Sequence, residues 1–156
     1  MDEKKLLKYA VDYLSKYDSS KVNLVNVLKR KILRLKTTNY EKGKLINIIE
    51  SIIIKLEKNK FIDDDRYSST KILSLSNSGR SKNFIFNYLI KKGVGKTQIQ
   101  SNLNLMKQNN HNWELESAKV FAKKKKLLEK NESYEKKLAK MARAGFSYDI
   151  CKKILS

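Results

Sequence analysis

Two segments of this chain repeat one short pattern at an offset of 52 positions. Leu89-Ile90-Lys91-Lys92-Gly93-Val94-Gly95 is followed by Ile99 and Leu103, and Met141-Ala142-Arg143-Ala144-Gly145-Phe146-Ser147 by Cys151 and Leu155. Each copy reads as a helix, a glycine stop, an apolar residue and a second helix. A fainter copy lies upstream. Ser20-Lys21, Asn26, Leu28 and Lys31 stand 61 positions before Ser81-Lys82, Asn87, Leu89 and Lys92. Repetition at this period marks an array of small supersecondary units that bury their apolar faces against one another. Such arrays present extended binding surfaces rather than a single catalytic pocket.

Composition supports helices. Proline is absent and glycine occurs five times in 156 residues, and 40% of the chain is apolar, enough for a core. The net charge is +19, with 35 lysines and arginines against 16 carboxylates. Thirty of the basic residues are lysines, which suit phosphate backbones and acidic surfaces better than planar base readout. A single cysteine, Cys151, excludes an intramolecular disulfide and fits a buried apolar position matching Ile99. The N-terminus, Met1-Asp2-Glu3-Lys4-Lys5, has no signal-peptide core. The most apolar stretch, Leu45 to Leu56, carries Asn47, Glu50 and Lys55 and falls short of the roughly 20 residues that span a bilayer. A cytoplasmic protein without membrane contact is expected.

Apolar spacing and capping residues predict nine helices: about Glu3–Tyr17, Lys21–Lys36, Tyr40–Lys58, Asp63–Asn77, Lys82–Lys92, Lys96–Gln108, one capped by Asn112, Ser133–Ala144, and one from Ser147 to Leu155. Gly93 and Gly145 fit the left-handed position just beyond a helix end, and Gly79 turns the chain. The resulting expectation is an all-α tandem array of three three-helix units, residues 1–60, 61–110 and 111–156.

Catalytic material is scarce. Gly93-Val94-Gly95-Lys96-Thr97 looks like the end of a phosphate-binding loop, but Ile90 stands where that motif needs glycine, and a helix precedes it instead of a strand. Asp63-Asp64-Asp65 reads as a helix cap rather than a metal site. His111 is the only histidine, which leaves no His-based zinc site or triad. Glu129, Glu132 and Glu135 lie among lysines as an ion-pair face. No enzyme activity, cofactor or metal is expected. Binding material is plentiful: Lys82, Lys91, Lys92, Lys96, Arg143 and the run Lys123, Lys124, Lys125, Lys126 are candidate contacts to phosphate or to an acidic partner. The bland alternative is a solvated face. Few aromatic residues interleave with these lysines; Tyr148 is the best case, and it also fits a core position.

Three segments in order resemble the RecX family, regulators of the RecA recombinase. They are Phe61-Ile62-Asp63-Asp64-Asp65-Arg66-Tyr67; Gly79 followed by Ile85, Leu89, Lys91-Lys92-Gly93-Val94, Ile99 and Leu103; and Ala144-Gly145-Phe146-Ser147-Tyr148-Asp149-Ile150. Trp113, Ala118, Phe121-Ala122 and Lys123-Lys124 also fit. The sequence departs from the family pattern at Gly95, where a serine or threonine is usual, and at Ala144, where arginine is typical. The resemblance implies an elongated, curved array of three-helix units. It implies binding in the groove of the RecA–DNA filament, as a monomer, with restraint of ATP hydrolysis and strand exchange. In the signature, Asp63 or Asp64 is expected to cap a helix, Arg66 to pair locally and Tyr67 to pack. Gly79, Gly93, Gly145, Phe146, Ser147 and Asp149 are expected to be mostly structural.

A rival reading is a helix-turn-helix DNA binder acting without RecA. Its recognition helix would be the sixth, with Gln98, Gln100, Asn102 and Asn104. A third is a scaffold for some other acidic protein. The sequence leaves open whether the basic face meets DNA directly or through RecA.

Overall fold

The computed structural model describes all 156 residues and contains only helices. They are α1 (Glu3–Lys16), α2 (Lys21–Leu33), α3 (Asn39–Asn47), α4 (Ile49–Lys58), α5 (Asp64–Asn77), α6 (Lys82–Lys91), α7 (Lys96–Asn109), α8 (Trp113–Lys124), α9 (Tyr134–Arg143) and α10 (Tyr148–Leu155). No helix is long and apolar enough to cross a membrane. The chain divides into two compact units. One comprises Met1–Tyr67 with Lys92–Val94, the other Ser68–Lys91 with Gly95–Ser156.

In the first unit, α2 packs against α1, α3 and α4. Its core is built from Leu6, Leu24, Leu28, Ile32, Ile52 and their neighbours, all buried. Local signals start the helices where the sequence places them. Asp2, Ser20 and Thr38 each accept the backbone N–H three residues on, at 2.9, 3.2 and 3.2 Å. The expected single helix from Tyr40 to Lys58 is two helices, so the chain has ten rather than nine. At Ile48 the N–H turns to the Leu45 carbonyl, three residues back, at 3.2 Å. Asn47, Ile48 and Ile49 are adjacent mediocre helix formers. Both halves pack on α2, so the break lets Leu45, Ile49, Ile52 and Leu56 all reach one core.

The acidic signature closes this unit. Asp63 Oδ1 accepts the N–H groups of Asp65 (2.9 Å) and Arg66 (3.1 Å), as a helix cap does. Asp64 Oδ1 accepts the Lys21 N–H at 2.8 Å and so caps α2 rather than its own helix. The Arg66 guanidinium donates to the Lys60 carbonyl at 3.3 Å, and Tyr67 is buried. Asp63 and Asp64 thus serve different helices.

In the second unit α6 packs on α7, and α10 on both α8 and α9. Ala118, Ala122, Met141, Phe146, Cys151 and Ile154 form one buried cluster. Burial pushes the Cys151 thiol above its ordinary value, in keeping with a packing role. Gly79, Gly93 and Gly145 have φ of +92°, +81° and +98°, the left-handed conformation expected of helix stops. Lys60 and Lys126 adopt it too, at +62° and +57°, without the glycine that makes it easy. Asn112 lacks the expected side-chain cap bond. Asn110 supplies the turn instead, its Oδ1 accepting the Asn112 N–H at 3.1 Å.

Candidate functional site

The site begins with one hydroxyl. Ser81 Oγ accepts the Phe84 N–H at 3.0 Å, capping α6, and donates to the Ala144 carbonyl at the end of α9, 2.7 Å away. Gly145 makes the approach possible: a Cβ there would lie 2.5 Å from Ser81 Oγ. The clamp sets Arg143, the last residue of α9, beside the outward face of α6.

Two clefts open around Arg143. One, of about 290 Å³, is lined by Asn83, Phe84, Asn87, Tyr88 and Lys91 of α6 and by Arg143, Ala144 and Gly145. The other, of about 360 Å³, is lined by Phe121, Lys125, Lys140 and Arg143. Arg143 thus joins Lys91 on one side to Lys125 on the other. A third and larger cleft, about 630 Å³, includes Lys82, Asn83, Phe86, Gln100, Asn104 and Glu114, and shares Asn83 and Gly145 with the first. The three form one chain of openings in which lysine and arginine outnumber carboxylates. Such a surface attracts anions.

The candidate residues divide accordingly. Lys82, Lys91, Lys125 and Arg143 are exposed and brought together along these clefts. Lys96, Lys123, Lys124 and Lys126 are exposed but line none of the three. Lys124 Nζ is spent on the Ser78 carbonyl, 2.9 Å away. Lys92 departs from the expected exposure: its side chain is half-buried in the first unit, and its carbonyl accepts the Ser20 hydroxyl. Ser147 Oγ caps α10 through the Ile150 N–H at 3.4 Å, and Asp149 is exposed in that helix's first turn. Tyr148 is exposed, with Lys152 Nζ 5.5 Å from its ring centre. Four side chains of this site, Asn83, Phe84, Asn87 and Tyr88, were not among the expected contacts. The four-residue spacing of Phe84 and Tyr88 along α6 is the signal that points to them.

No protein-family model matches the chain. Among curated proteins, the chain is 32% identical over 154 residues to "Regulatory protein RecX" of Myxococcus xanthus (strain DK1622), covering 94% of this chain and 81% of that protein. The chain belongs to the RecX family. Solved structures agree on the fold. RecX from Lactobacillus salivarius superposes with a TM-score of 0.70 at 24% identity, over 97% of this chain and 93% of that one. A second structure, of regulatory protein RecX, gives 0.70 at 23% identity, over 96% and 70%. Within this RecX-family fold, Gly145 sits at the clamp beside which the basic clefts open.

Proposed function

We propose that this RecX-family chain regulates the RecA recombinase by binding the RecA–DNA filament, and that binding lowers ATP hydrolysis and strand exchange. Kinship over 154 residues to a regulatory RecX protein carries the reading. The linked clefts around Arg143 support it by offering a basic contact surface. The chain works by binding rather than catalysis, as a cytoplasmic monomer built from three helical units, residues 1–60, 61–110 and 111–156. Several weak contacts to successive filament subunits then add through effective concentration.

The rival helix-turn-helix reading is less favoured. Asn102 of α7 is buried, and Gln100 and Asn104 lie in a cleft walled by Lys82, Phe86 and Ser147 rather than on a protruding edge. The test is RecA's DNA-dependent ATPase and strand exchange at low salt with increasing amounts of this protein. Both rates should fall. Unchanged rates at excess protein would overturn the proposal. The variant with Lys123, Lys124, Lys125 and Lys126 all changed to alanine shows what the run contacts. Loss of binding to bare DNA and to filament means phosphate, and loss on the filament alone means protein. No loss on either means a solvated face.

A further inference from the structure

We infer that the cleft between α6 and Arg143 is a binding site for an unpaired nucleotide of single-stranded nucleic acid, recognised by ring stacking and by its phosphate. The proposal shares its phosphate contact with the interface above, but its test needs no RecA.

The observation is a ladder on α6. Phe84 and Tyr88 stand four residues apart, on one face of the helix, and Arg80 lies in the loop just before it. The Arg80 guanidinium lies 4.3 Å from the Phe84 ring centre. The Phe84 and Tyr88 rings are stacked, with centres 6.4 Å apart and planes 25° apart. Both rings are half-buried and both line the cleft of about 290 Å³. The amides of Asn83 and Asn87 line the same cleft, with Lys91 and Arg143.

Each part has a use. Tyr88 offers apolar, π-bearing surface to the face of a base, with Phe84 and Arg80 packed behind it, and stacking of this kind tolerates any base. The asparagine amides can donate to and accept from a base edge. Arg143 and Lys91 supply the positive charge a phosphate needs. A duplex buries its base faces in its own stack, so it could use the cations but not the rings. That difference makes the inference specific to an unpaired strand.

The experiment compares Tyr88→Leu and Tyr88→Phe with the unchanged protein, each first shown to retain its helical signal and melting point. Binding to a labelled single-stranded oligonucleotide, the same strand with abasic sites, and the matching duplex is measured across a salt series. Tyr88→Leu should weaken single-strand binding about tenfold and leave duplex binding unchanged, while Tyr88→Phe binds as the unchanged protein does. The abasic strand should show no difference between the unchanged protein and Tyr88→Leu. Arg143→Gln should lower the salt dependence by about 0.7 per phosphate on the single strand. Equal losses on strand and duplex, or an undiminished Tyr88→Leu effect on the abasic strand, would overturn the inference. So would unaltered single-strand binding by Tyr88→Leu. Failure here with RecA inhibition intact refutes the nucleotide site alone.

Discussion

In the first compact unit the Ser20 hydroxyl caps α2 and donates to the carbonyl of Lys92, just before Gly93. In the second, the Ser81 hydroxyl caps α6 and donates to the carbonyl of Ala144, just before Gly145. Both serines are buried, and the apolar residue after each glycine, Val94 or Phe146, is buried in its unit. The surroundings then diverge. After Ser20, the Lys21 N–H is taken by Asp64 at 2.8 Å and its ammonium by Glu57 at 2.9 Å. After Ser81, the equivalent Lys82 is exposed along an open cleft whose lining includes one carboxylate, Glu114. One copy of the joint thus has its charge absorbed into the fold, while the other presents it. A repeat conserves the bond that locks two helices together and leaves the neighbouring charge to serve either stability or binding.

The glycines should break this symmetry most strongly. Alanine at either position must hold positive φ, costing about 1 kcal/mol. At Gly93 the new Cβ would also lie 2.4 Å from Val22 Cβ, an atom fixed to the backbone. Overpacking adds about 1–3 kcal/mol, so Gly93→Ala should cost about 2–4 kcal/mol in denaturant unfolding. At Gly145 the Cβ meets the Ser81 hydroxyl, which can rotate away at the expense of its bond, for a total of about 1–2 kcal/mol. Val22→Ala keeps Cβ but removes the two methyl carbons that would lie 2.6 and 2.8 Å from the new atom, so it should restore part of the loss in Gly93→Ala and nothing in Gly145→Ala. Equal costs at both glycines, without rescue, would show that φ alone matters.

Next come the serines. Ser20→Ala and Ser81→Ala each remove a cap bond and leave a carbonyl unpaired, for about 2 kcal/mol apiece. Similar losses in chemical denaturation are expected, because the bonding pattern is the same. A loss at one serine only would mean that the two joints are not energetically equivalent.

Much of this architecture was legible in the residues. Glycine stops, serine and aspartate caps and the apolar period located nearly every helix, because these signals act within a few positions along the chain. The break at Ile48 carries no glycine or proline, and arises because α2 draws both halves onto its surface. The second bond of each clamp spans 72 or 63 positions, beyond any local rule, though the recurrence of Ser20 at Ser81 was in view. Lys92 reads as a surface charge from its place beside Lys91, whereas its side chain is half-buried and its carbonyl is tied to Ser20. Phe84 and Tyr88 carry no charge and so stand outside the basic candidates; only the cleft lining brings them to Arg143.

The two lysines in left-handed backbone offer a smaller and opposite effect, one in each unit. Lys60→Gly and Lys126→Gly should each raise stability by about 1 kcal/mol, seen as a higher melting point. Lys126 belongs to the basic run. Its replacement should also lower the log–log salt slope of single-strand binding by about 0.7 if it meets a phosphate. Lys60 should leave that slope unchanged. Equal slopes for both variants would remove Lys126 from the interface.

The smallest effect tests how the first unit absorbs charge. Asp64 is half-buried, and burial raises its carboxyl above the ordinary 3.8, against the opposing pull of the Lys21 N–H and ammonium. A raised value in the folded state means that folding favours the protonated form. The associated stability is fully present below pH 3.8 and is lost as pH rises through the raised value. Asp64→Asn keeps an oxygen to accept the Lys21 N–H but carries no charge to bury. It should therefore be the more stable protein at pH 7, with the gap closing as pH falls below the ordinary aspartate value. Melting points between pH 3 and pH 7 measure this directly. A less stable Asp64→Asn at pH 7, with the difference vanishing in acid, would show instead that the carboxylate's attraction to Lys21 outweighs the cost of its burial.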